Sequence, residues 1–388
     1  MLNSLELFSG AGGLAKGIEI AGAKHTAFVE WNTDACKTLR SNYCPEIVYE
    51  TDIKNFNFRN FSGVDLIAGG PPCQPFSLGG KAKGNDDDRD MFPYAVSAIR
   101  QLTPKAFIFE NVKGLLRRSF SEYFSYIILQ LTYPEVVNRT GNWQNHLAEL
   151  EKIHTKGNYS GLHYNVVFRL VNAANYGIPQ KRERVIIVGI RNDLDLAWSF
   201  PDETHSEESL LWSKHVTGEY WKKHGIKPGD CEMLNMKIQK KKLTDKHGFF
   251  PPLLKPWLTI RDALKGLPNP ETCIDYHPEH YFRAGARSYP GHTGSDIDQP
   301  SKALKAGDHG VPGGENMIRF QDKSVRYFTI LEAKRIQTFP DDYPILGSWT
   351  EAMRQLGNAV PVTLGKIVAE SLIPGLTAGN KRIANFAA

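Results

Sequence analysis

The stretch Asp65-Leu66-Ile67-Ala68-Gly69-Gly70-Pro71-Pro72-Cys73 decides the fold. A short apolar run that ends in two glycines is typical of a buried parallel strand. The prolines stiffen the chain as it leaves this strand, and the glycines allow close backbone approach. Cys73 is therefore expected at the carboxyl end of a strand, where open α/β sheets bind ligands. A free cysteine is more often a core residue, but polar Gln74 and Ser77 follow this one, which favours a nucleophile.

Further apolar runs alternate with helical patterns between Leu5 and about Ile190. They cover residues 5–8, 25–29, 64–68, 106–109 and 185–190. This alternation predicts a mostly parallel sheet, so the expected fold class is α/β. Residues 117–161 interrupt it with helix-compatible sequence, which we interpret as an insertion.

The residue composition of the sequence changes after Asp193. Irregular stretches rich in Pro, Gly, Lys, His and aromatic residues continue to about Gly314 and predict a second, loop-rich domain. From Tyr327 the helical pattern returns, and a last helix is expected after Pro361. We predict a core over 1–192, a second domain over 193–320, and a segment over 321–388 that returns to the core.

The charge of the chain is mildly basic and unevenly distributed. The 388 residues carry a formal net charge of +5, which by itself does not indicate nucleic acid. The stretch from Lys222 to Lys246, however, contains eight lysines and only three acidic residues. The five cysteines include no C-x-x-C pair, so neither a disulfide framework nor a zinc ribbon is expected, and a reducing cytoplasm is the simplest setting. We expect no membrane-spanning segment.

The first strand ends in the glycine-rich turn Phe8-Ser9-Gly10-Ala11-Gly12-Gly13, which opens a helix. Such glycines allow a cofactor to approach the backbone at a helix N-terminus, although they also fit the dinucleotide fingerprint. Glu30 ends the next strand, where a carboxylate can hold ribose hydroxyls. Trp31 could pack on an adenine or lie in the core. Asp52 could reach the adenine amino group or cap a helix.

Two more motifs carry charged side chains to strand ends. The run 106–109 terminates in Glu110, which in a partly desolvated pocket can hold and donate a proton, or which could cap the following helix. Arg182 and Arg184 precede the run 185–190 at period two, so they should project on one face. Two guanidinium forks suit a phosphate and a base carbonyl; a surface ion-pair strand is the alternative.

In this order, the motifs resemble those of the DNA cytosine-5 methyltransferases, specifically the bacterial modification enzymes. The landmarks are the turn at 8–13, the stretches 71–74, 110–112 and 180–184, a helix at 326–340, and the stretch 357–361. The resemblance implies a Rossmann-like S-adenosylmethionine-dependent methyltransferase core with a mostly parallel sheet. It also implies a smaller, loop-rich target recognition domain after Asp193.

The resemblance implies four catalytic residues. Cys73 would attack carbon 6 of a cytosine flipped out of the duplex, so that carbon 5 can accept a methyl group. Glu110 would bind ring nitrogen 3 and the amino edge. Arg184 would contact the base carbonyl, and Arg182 a phosphate or the catalytic loop.

The resemblance also implies the cofactor, S-adenosylmethionine, which leaves as S-adenosylhomocysteine, and no metal. The residues expected around the cofactor are Phe8, Gly10, Gly12, Gly13, Glu30, Trp31, Asp52, Ile53, Pro72, Asn358 and Val360. The residues expected on DNA are Gln74, Ser77 and Arg89 in a loop that closes over the duplex, and Lys240, Lys241 and Lys242 on phosphates.

We expect double-stranded DNA as substrate and a monomer that acts in the bacterial cytoplasm, with any companion endonuclease acting separately. The nearest rival is methylation of a tRNA cytosine, but the Cys-Phe-Thr signature of that branch is absent from the sequence. A nicotinamide-dependent oxidoreductase would explain the glycine turn and Glu30 but not Cys73. A catalytically silent DNA-binding protein would not need Cys73 with Glu110.

Overall fold

The largest sheet of the protein is mostly parallel and has helices packed on it, so the α/β prediction is confirmed. The computed structural model describes residues 2–72, 90–139, 141–228, 230–273, 275–306 and 316–384. The strands are β1 Leu2–Leu7, β2 Ala23–Glu30, β3 Val48–Glu50, β4 Leu66–Gly69, β5 Ala106–Val112, β6 Tyr164–Asn172, β7 Gln180–Lys181, β8 Glu183–Arg191, β9 His205–Ser206, β10 Lys255–Pro256, β11 Ser295–Asp296, β12 Ser301–Lys302, β13 Met317–Arg319 and β14 Val325–Tyr327.

The helices lie between and after these strands. They are α1 Gly13–Ile20, α2 Thr33–Asn42, α3 Phe92–Leu102, α4 Ser121–Thr132, α5 Trp143–Lys156, α6 Glu207–His215, α7 Glu219–His224, α8 Asp230–His247, α9 Ile260–Ala263, α10 Ile330–Ile336, α11 Trp349–Asn358 and α12 Val362–Ala384. Helices α4 and α5 occupy the stretch 117–161 that the sequence indicates as an insertion.

The central sheet has the strand order β3-β2-β1-β4-β5-β8-β6. Strands β1 to β5 pair in parallel, whereas β8 runs antiparallel to β5. The chain builds outward from β1 to β3 on one side and then resumes with β4 on the other side of β1. The strand order thus reverses between β1 and β4, and such a switch point is where open α/β sheets bind ligands.

Close packing of β1 and β4 explains the first glycine after the apolar run. A Cβ atom placed on Gly69 would lie 2.1 Å from the Leu7 carbonyl oxygen, a distance that real side chains do not reach. A glycine is therefore needed at this point for the two strands to pair.

Contacts divide the chain into two compact units. Unit 1 comprises residues 1–171, 183–201 and 365–388, and unit 2 comprises residues 172–182 and 202–364. The division therefore splits the predicted returning segment 321–388, because its first part belongs with unit 2 and its last helix with unit 1. The short excursion 172–182 inside the predicted core also belongs to unit 2.

Unit 2 is more helical than its composition suggests. Helices α6, α7 and α8 cover most of residues 207–247, whereas residues 249–306 contain mainly short strands and irregular backbone. The stretch predicted as a helix at 326–340 is also shorter. Arg326 belongs to β14, and α10 begins only after Thr329, whose hydroxyl and Glu332 form a capping box.

One helical stretch, Trp349–Ala378, passes a membrane-span test of length and composition, with a mean hydropathy of 1.3. Because 61% of the tested window is buried within the fold, it behaves as core helices of soluble proteins do. Residues 359–361 also interrupt it between α11 and α12. We therefore describe it as two core helices.

Candidate active site and cofactor pocket

The glycine turn lies where β1 ends, at the switch point of the sheet. Phe8, Gly10 and Gly12 all adopt positive φ values, of 51°, 52° and 82°. A phenylalanine in this region of backbone space is strained, and such strain is concentrated at functional sites. Among the residues that the structure describes, no atom lies within 4 Å of a Cβ built on Gly10, so none of them covers the turn there. Gly12 is the N-cap of α1 and, as a glycine, makes no side-chain cap bond. Gly13 is the first residue of this helix.

Glu30 fixes this turn from the end of β2. Its Oε2 accepts the Gly10 N–H at 2.8 Å, and its Oε1 accepts the N–H groups of Trp31 and Asn32 at 3.0 and 2.8 Å. The side chain is buried. These three bonds hold the Glu30 carboxylate against the turn at the switch point of the sheet.

The three residues expected around an adenine differ in environment. Trp31 is 76% exposed, so its face is open to a planar ligand and the core alternative is wrong. Ile53 is buried. The Asp52 carboxylate accepts the Lys54 N–H at 3.0 Å and caps the short 3₁₀ turn Ile53–Asn55. The capping alternative for Asp52 is therefore observed, and it uses only one of the two oxygens.

Glu110 and Arg184 meet where β5 and β8 pair. Arg184 Nε lies 2.6 Å from Glu110 Oε1, at ion-pair distance. The Glu110 carboxylate is buried, and no aligned donor reaches Oε1 within the described residues. Its Oε2 lies 3.4 Å from a Cβ built on Gly70. Residue Val112, not Glu110, is the N-cap of the next turn and makes no side-chain cap bond, so the capping alternative for Glu110 is wrong.

The two prolines after β4 are held by residues to which sequence reasoning gave no role. Asn111 Nδ2 donates to the Pro71 carbonyl oxygen at 3.0 Å, and the Met91 N–H donates to that of Pro72 at 3.4 Å. Asp90 is buried and accepts the Tyr123 hydroxyl. Pro72 itself is exposed. The chain is thus anchored on both sides of residues 73–89. Asn111 follows Glu110 directly in the sequence, and this adjacency is the signal that could have indicated its role.

Four predicted site residues, Cys73, Gln74, Ser77 and Arg89, lie outside the described residues. Three other thiols, those of Cys36, Cys44 and Cys273, are recorded among the described residues, and the first two are poor nucleophiles. Burial, with the Glu30 charge nearby, raises the pKa of Cys36 to about 12. A hydrogen bond to Glu46 raises the pKa of the exposed Cys44 thiol. Reactive cysteines require the opposite shift, because the thiolate attacks.

Arg182 is not placed for its expected role on a phosphate, and its other expected partner, the catalytic loop at 74–89, lies outside the described residues. It lies between β7 and β8, and its side chain is 1% exposed. Its Nη2 donates to the Gly357 carbonyl oxygen at 2.9 Å, and its Nη1 to that of Leu304 at 3.4 Å. A buried guanidinium bound to two carbonyls braces unit 2 and does not face solvent. The period-two argument fails because Arg182 and Arg184 do not belong to one continuous strand.

Two glutamines extend this brace. Gln180 Nε2 donates to Gln337 Oε1 at 3.1 Å, and its Oε1 accepts the Leu304 N–H at 3.1 Å. The Gln337 amide donates in turn to the carbonyls of Leu356 and Ala359. A Cβ on Gly357 would lie 2.5 Å from the Ala306 nitrogen, so a glycine is required there.

The remaining predicted residues also belong to unit 2. Asn358 is exposed at the end of α11, and Val360 is buried in the turn that follows. Lys240, Lys241 and Lys242 are exposed on α8. Within the described part of the chain, no three His, Cys, Asp or Glu side chains come together as a group that could hold a metal ion.

Comparison with known proteins identifies the family. The model of the C-5 cytosine-specific DNA methylase family matches residues 2–133 and 142–374. The Type II methyltransferase M.PspPI of Psychrobacter sp. (strain TA137) is 32% identical over 383 residues, which cover 98% of this chain and 80% of that protein. The Type II methyltransferase M.NgoMIV of Neisseria gonorrhoeae is 29% identical and covers 97% of this chain and 99% of its own.

Solved structures share the fold. The Dnmt2 methyltransferase of S. pombe superposes with a TM-score of 0.55 at 17% identity, covering 96% of this chain and 99% of its own. The methyltransferase EhMeth of Entamoeba histolytica gives a TM-score of 0.53 at 16% identity, covering 97% and 98%. The family match over most of the sequence and the relative at 32% identity show that this chain belongs to the C-5 cytosine-specific DNA methylases.

Proposed function

We propose that the protein transfers a methyl group to carbon 5 of a cytosine in duplex DNA, with Cys73 as the covalent nucleophile. The observation that carries this proposal is the Glu110–Arg184 pair. The Glu110 carboxylate lies beside Gly70, the residue that immediately precedes Pro71-Pro72-Cys73 in the sequence. A carboxyl and a guanidinium 2.6 Å apart match the adjacent ring nitrogen 3 and carbonyl oxygen of a single cytosine. Both groups can therefore address one flipped base.

The residues divide the reaction between them. The Cys73 thiolate adds to carbon 6, and the electron pair of the 5,6 double bond makes carbon 5 nucleophilic. Glu110 binds nitrogen 3 and the amino edge, while Arg184 binds the base carbonyl. Once carbon 5 carries the methyl group, its proton leaves to a solvent base, and this loss restores the 5,6 double bond and expels the Cys73 thiolate. Asn111 supports this chemistry through the Pro71 carbonyl, which lies two residues before the nucleophile.

The residues at the switch point fit S-adenosylmethionine, which supplies the methyl group when bound. Among the described residues no atom approaches the Gly10 position of the turn, and the Glu30 carboxylate lies against the same turn, where ribose hydroxyls are proposed to bind. Exposed Trp31 offers a face for the adenine. The parts that Asn358 and Val360 play in this pocket stay predictions, as does the adenine contact of Asp52.

Unit 2 is proposed to select the DNA sequence. Its exposed lysines on α8 suit phosphates, which position the protein, whereas other side chains of the unit read base edges. The relatives named as Type II methyltransferases support action beside a restriction endonuclease. We propose a cytoplasmic monomer for this role.

The test is base-resolution mapping. The purified protein is incubated with plasmid DNA and with bulk tRNA, each with S-adenosylmethionine, and 5-methylcytosine is mapped in both. The proposal predicts 5-methylcytosine at one recurrent sequence in the plasmid and none in the tRNA. Plasmid without 5-methylcytosine, or methylation confined to tRNA, would contradict it.

A further inference from the structure

Large apolar side chains are exposed together at the end of helix α8. Phe249, Phe250 and Leu253 are 99%, 80% and 102% exposed, and we call residues 248–254 the apolar knuckle. Side chains of this size are usually buried. A contiguous exposed group of them marks an interaction site in a soluble protein.

Hydrogen bonds hold both ends of the apolar knuckle. Gly248 adopts a φ of +63°, and its N–H donates to the Thr244 carbonyl oxygen at 2.8 Å, which closes α8. On the other side, Ser209 Oγ donates to the Leu254 carbonyl oxygen at 2.7 Å. The Lys255 N–H donates to the Thr204 carbonyl oxygen at 3.0 Å. The exposure of the phenyl rings is therefore built into the fold.

Glu208 also holds the last turn of α8, at the start of the knuckle. Glu208 of α6 lies 2.5 Å from Lys246 Nζ and 3.0 Å from His247 Nε2, through its two carboxylate oxygens. Leu243 is buried one turn earlier. The last turn of α8 is thus docked, which leaves the rings of Phe249 and Phe250 beyond it in solvent.

The surroundings of the knuckle carry the excess positive charge of the chain. Residues 236–256 contain six lysines and one aspartate, a formal charge of +5, which equals that of all 388 residues. The rest of the chain is therefore electrically balanced. Lys237, Lys240, Lys241 and Lys242 are all exposed on α8. This arrangement suits a polyanion that also offers apolar surface.

We propose that the apolar knuckle is a wedge that inserts into a groove of duplex DNA, where Phe249 and Phe250 contact base steps and the lysines of α8 hold the flanking phosphates. Apolar wedges beside cationic side chains are a known way to bind and kink a duplex. Pro251 and Pro252 restrict the backbone of the tip, so less conformational entropy is lost on insertion. This inference rests on the proposed function, because it takes duplex DNA as the substrate.

The test separates insertion from phosphate contact through salt dependence. Binding to a duplex is measured at several salt concentrations for wild type, for a knuckle variant (Phe249→Ser with Phe250→Ser) and for a lysine variant (Lys240→Gln with Lys241→Gln and Lys242→Gln). The knuckle variant should bind at least about tenfold more weakly with an unchanged salt slope. For the lysine variant, the slope of the logarithm of the binding constant against the logarithm of salt concentration should be smaller by about 0.9 for each phosphate contact removed.

The matched control removes exposed apolar surface elsewhere, by Ile20→Ser with Val137→Ser, and should bind DNA as wild type does. The knuckle variant should unfold at the same urea concentration as wild type, because both side chains that it changes are in solvent. Wild-type affinity in the knuckle variant overturns the inference. The inference is also overturned if the knuckle variant keeps wild-type affinity for DNA but loses a dimer seen in sedimentation, or loses binding to anionic vesicles. A wild type that methylates no DNA refutes the proposed function instead.

Discussion

Replacing Arg182 with methionine should destabilise the protein without removing a DNA contact. The side chain is 1% exposed and donates at 2.9 Å to Gly357 and at 3.4 Å to Leu304. A hydrogen bond from a charged donor contributes about 1.5–3 kcal/mol, and the longer bond counts at the low end. Methionine fills much of the same volume but leaves both carbonyls without this donor. We expect the free energy of unfolding to fall by about 2–4 kcal/mol.

The assay is urea denaturation together with DNA binding across a range of salt concentrations. Lys181→Met is the matched control, because it removes the same charge one position earlier, where an exposed pair joins Lys181 to Glu207 at 2.8 Å. Such surface pairs contribute about 0–1 kcal/mol. The DNA-binding slope of Arg182→Met should equal that of wild type. A variant with wild-type stability and a slope reduced by about 0.9 would show that Arg182 contacts a phosphate.

Three further substitutions follow from the structure. Glu110→Gln should lower the single-turnover methylation rate about 100- to 10,000-fold with little change in urea midpoint; a rate that falls only with the folded fraction would contradict this. Gly69→Ala should cost at least about 1–3 kcal/mol, since its Cβ would meet the Leu7 carbonyl, and unchanged stability would refute the close strand contact. Burial lowers the pKa of His146 below its ordinary 6.5. The unfolded chain therefore binds a proton first, and stability should fall as pH drops below about 6.5. His146→Gln should show a shallower decline, and an equal decline would contradict the argument.

The strand ends were predictable because their signals are local. Gly69 and the glycines after β1 are each demanded by backbone geometry, and Glu30 follows a strongly apolar run. Such positions depend on neighbours in sequence, so a pattern of apolar residues and glycines is enough to find them.

The role of Arg182 was not predictable from its motif. Its partners Leu304 and Gly357 lie far along the chain. Arg182 also lies in the break between β7 and β8, so its side chain does not have to project on the same face as that of Arg184. For Asn111 the only sequence signal is its place beside Glu110, because its contact is with a carbonyl oxygen, which leaves no signature in the identity of Pro71. Long-range contacts to backbone atoms are invisible to a reading of side-chain types.

Helix α8 and the apolar knuckle were missed for a different reason. Apolar residues show no helical period along α8, so its helix could not be recognised by amphipathic pattern. The run Phe249-Phe250-Pro251-Pro252-Leu253-Leu254 has the composition of a core segment. Only its position beyond the docked end of α8 shows that these side chains are in solvent.

The most direct test of the account is covalent trapping at the mapped site. A duplex with 5-fluorocytosine at the target position cannot lose a proton from carbon 5, so the adduct between protein and base should persist. Denaturing electrophoresis should then show a cofactor-dependent complex, and peptide mapping should place the DNA on Cys73. The Cys73→Ala variant should form none. An adduct that survives this substitution, or wild-type protein that methylates the site yet forms no adduct, would contradict the account.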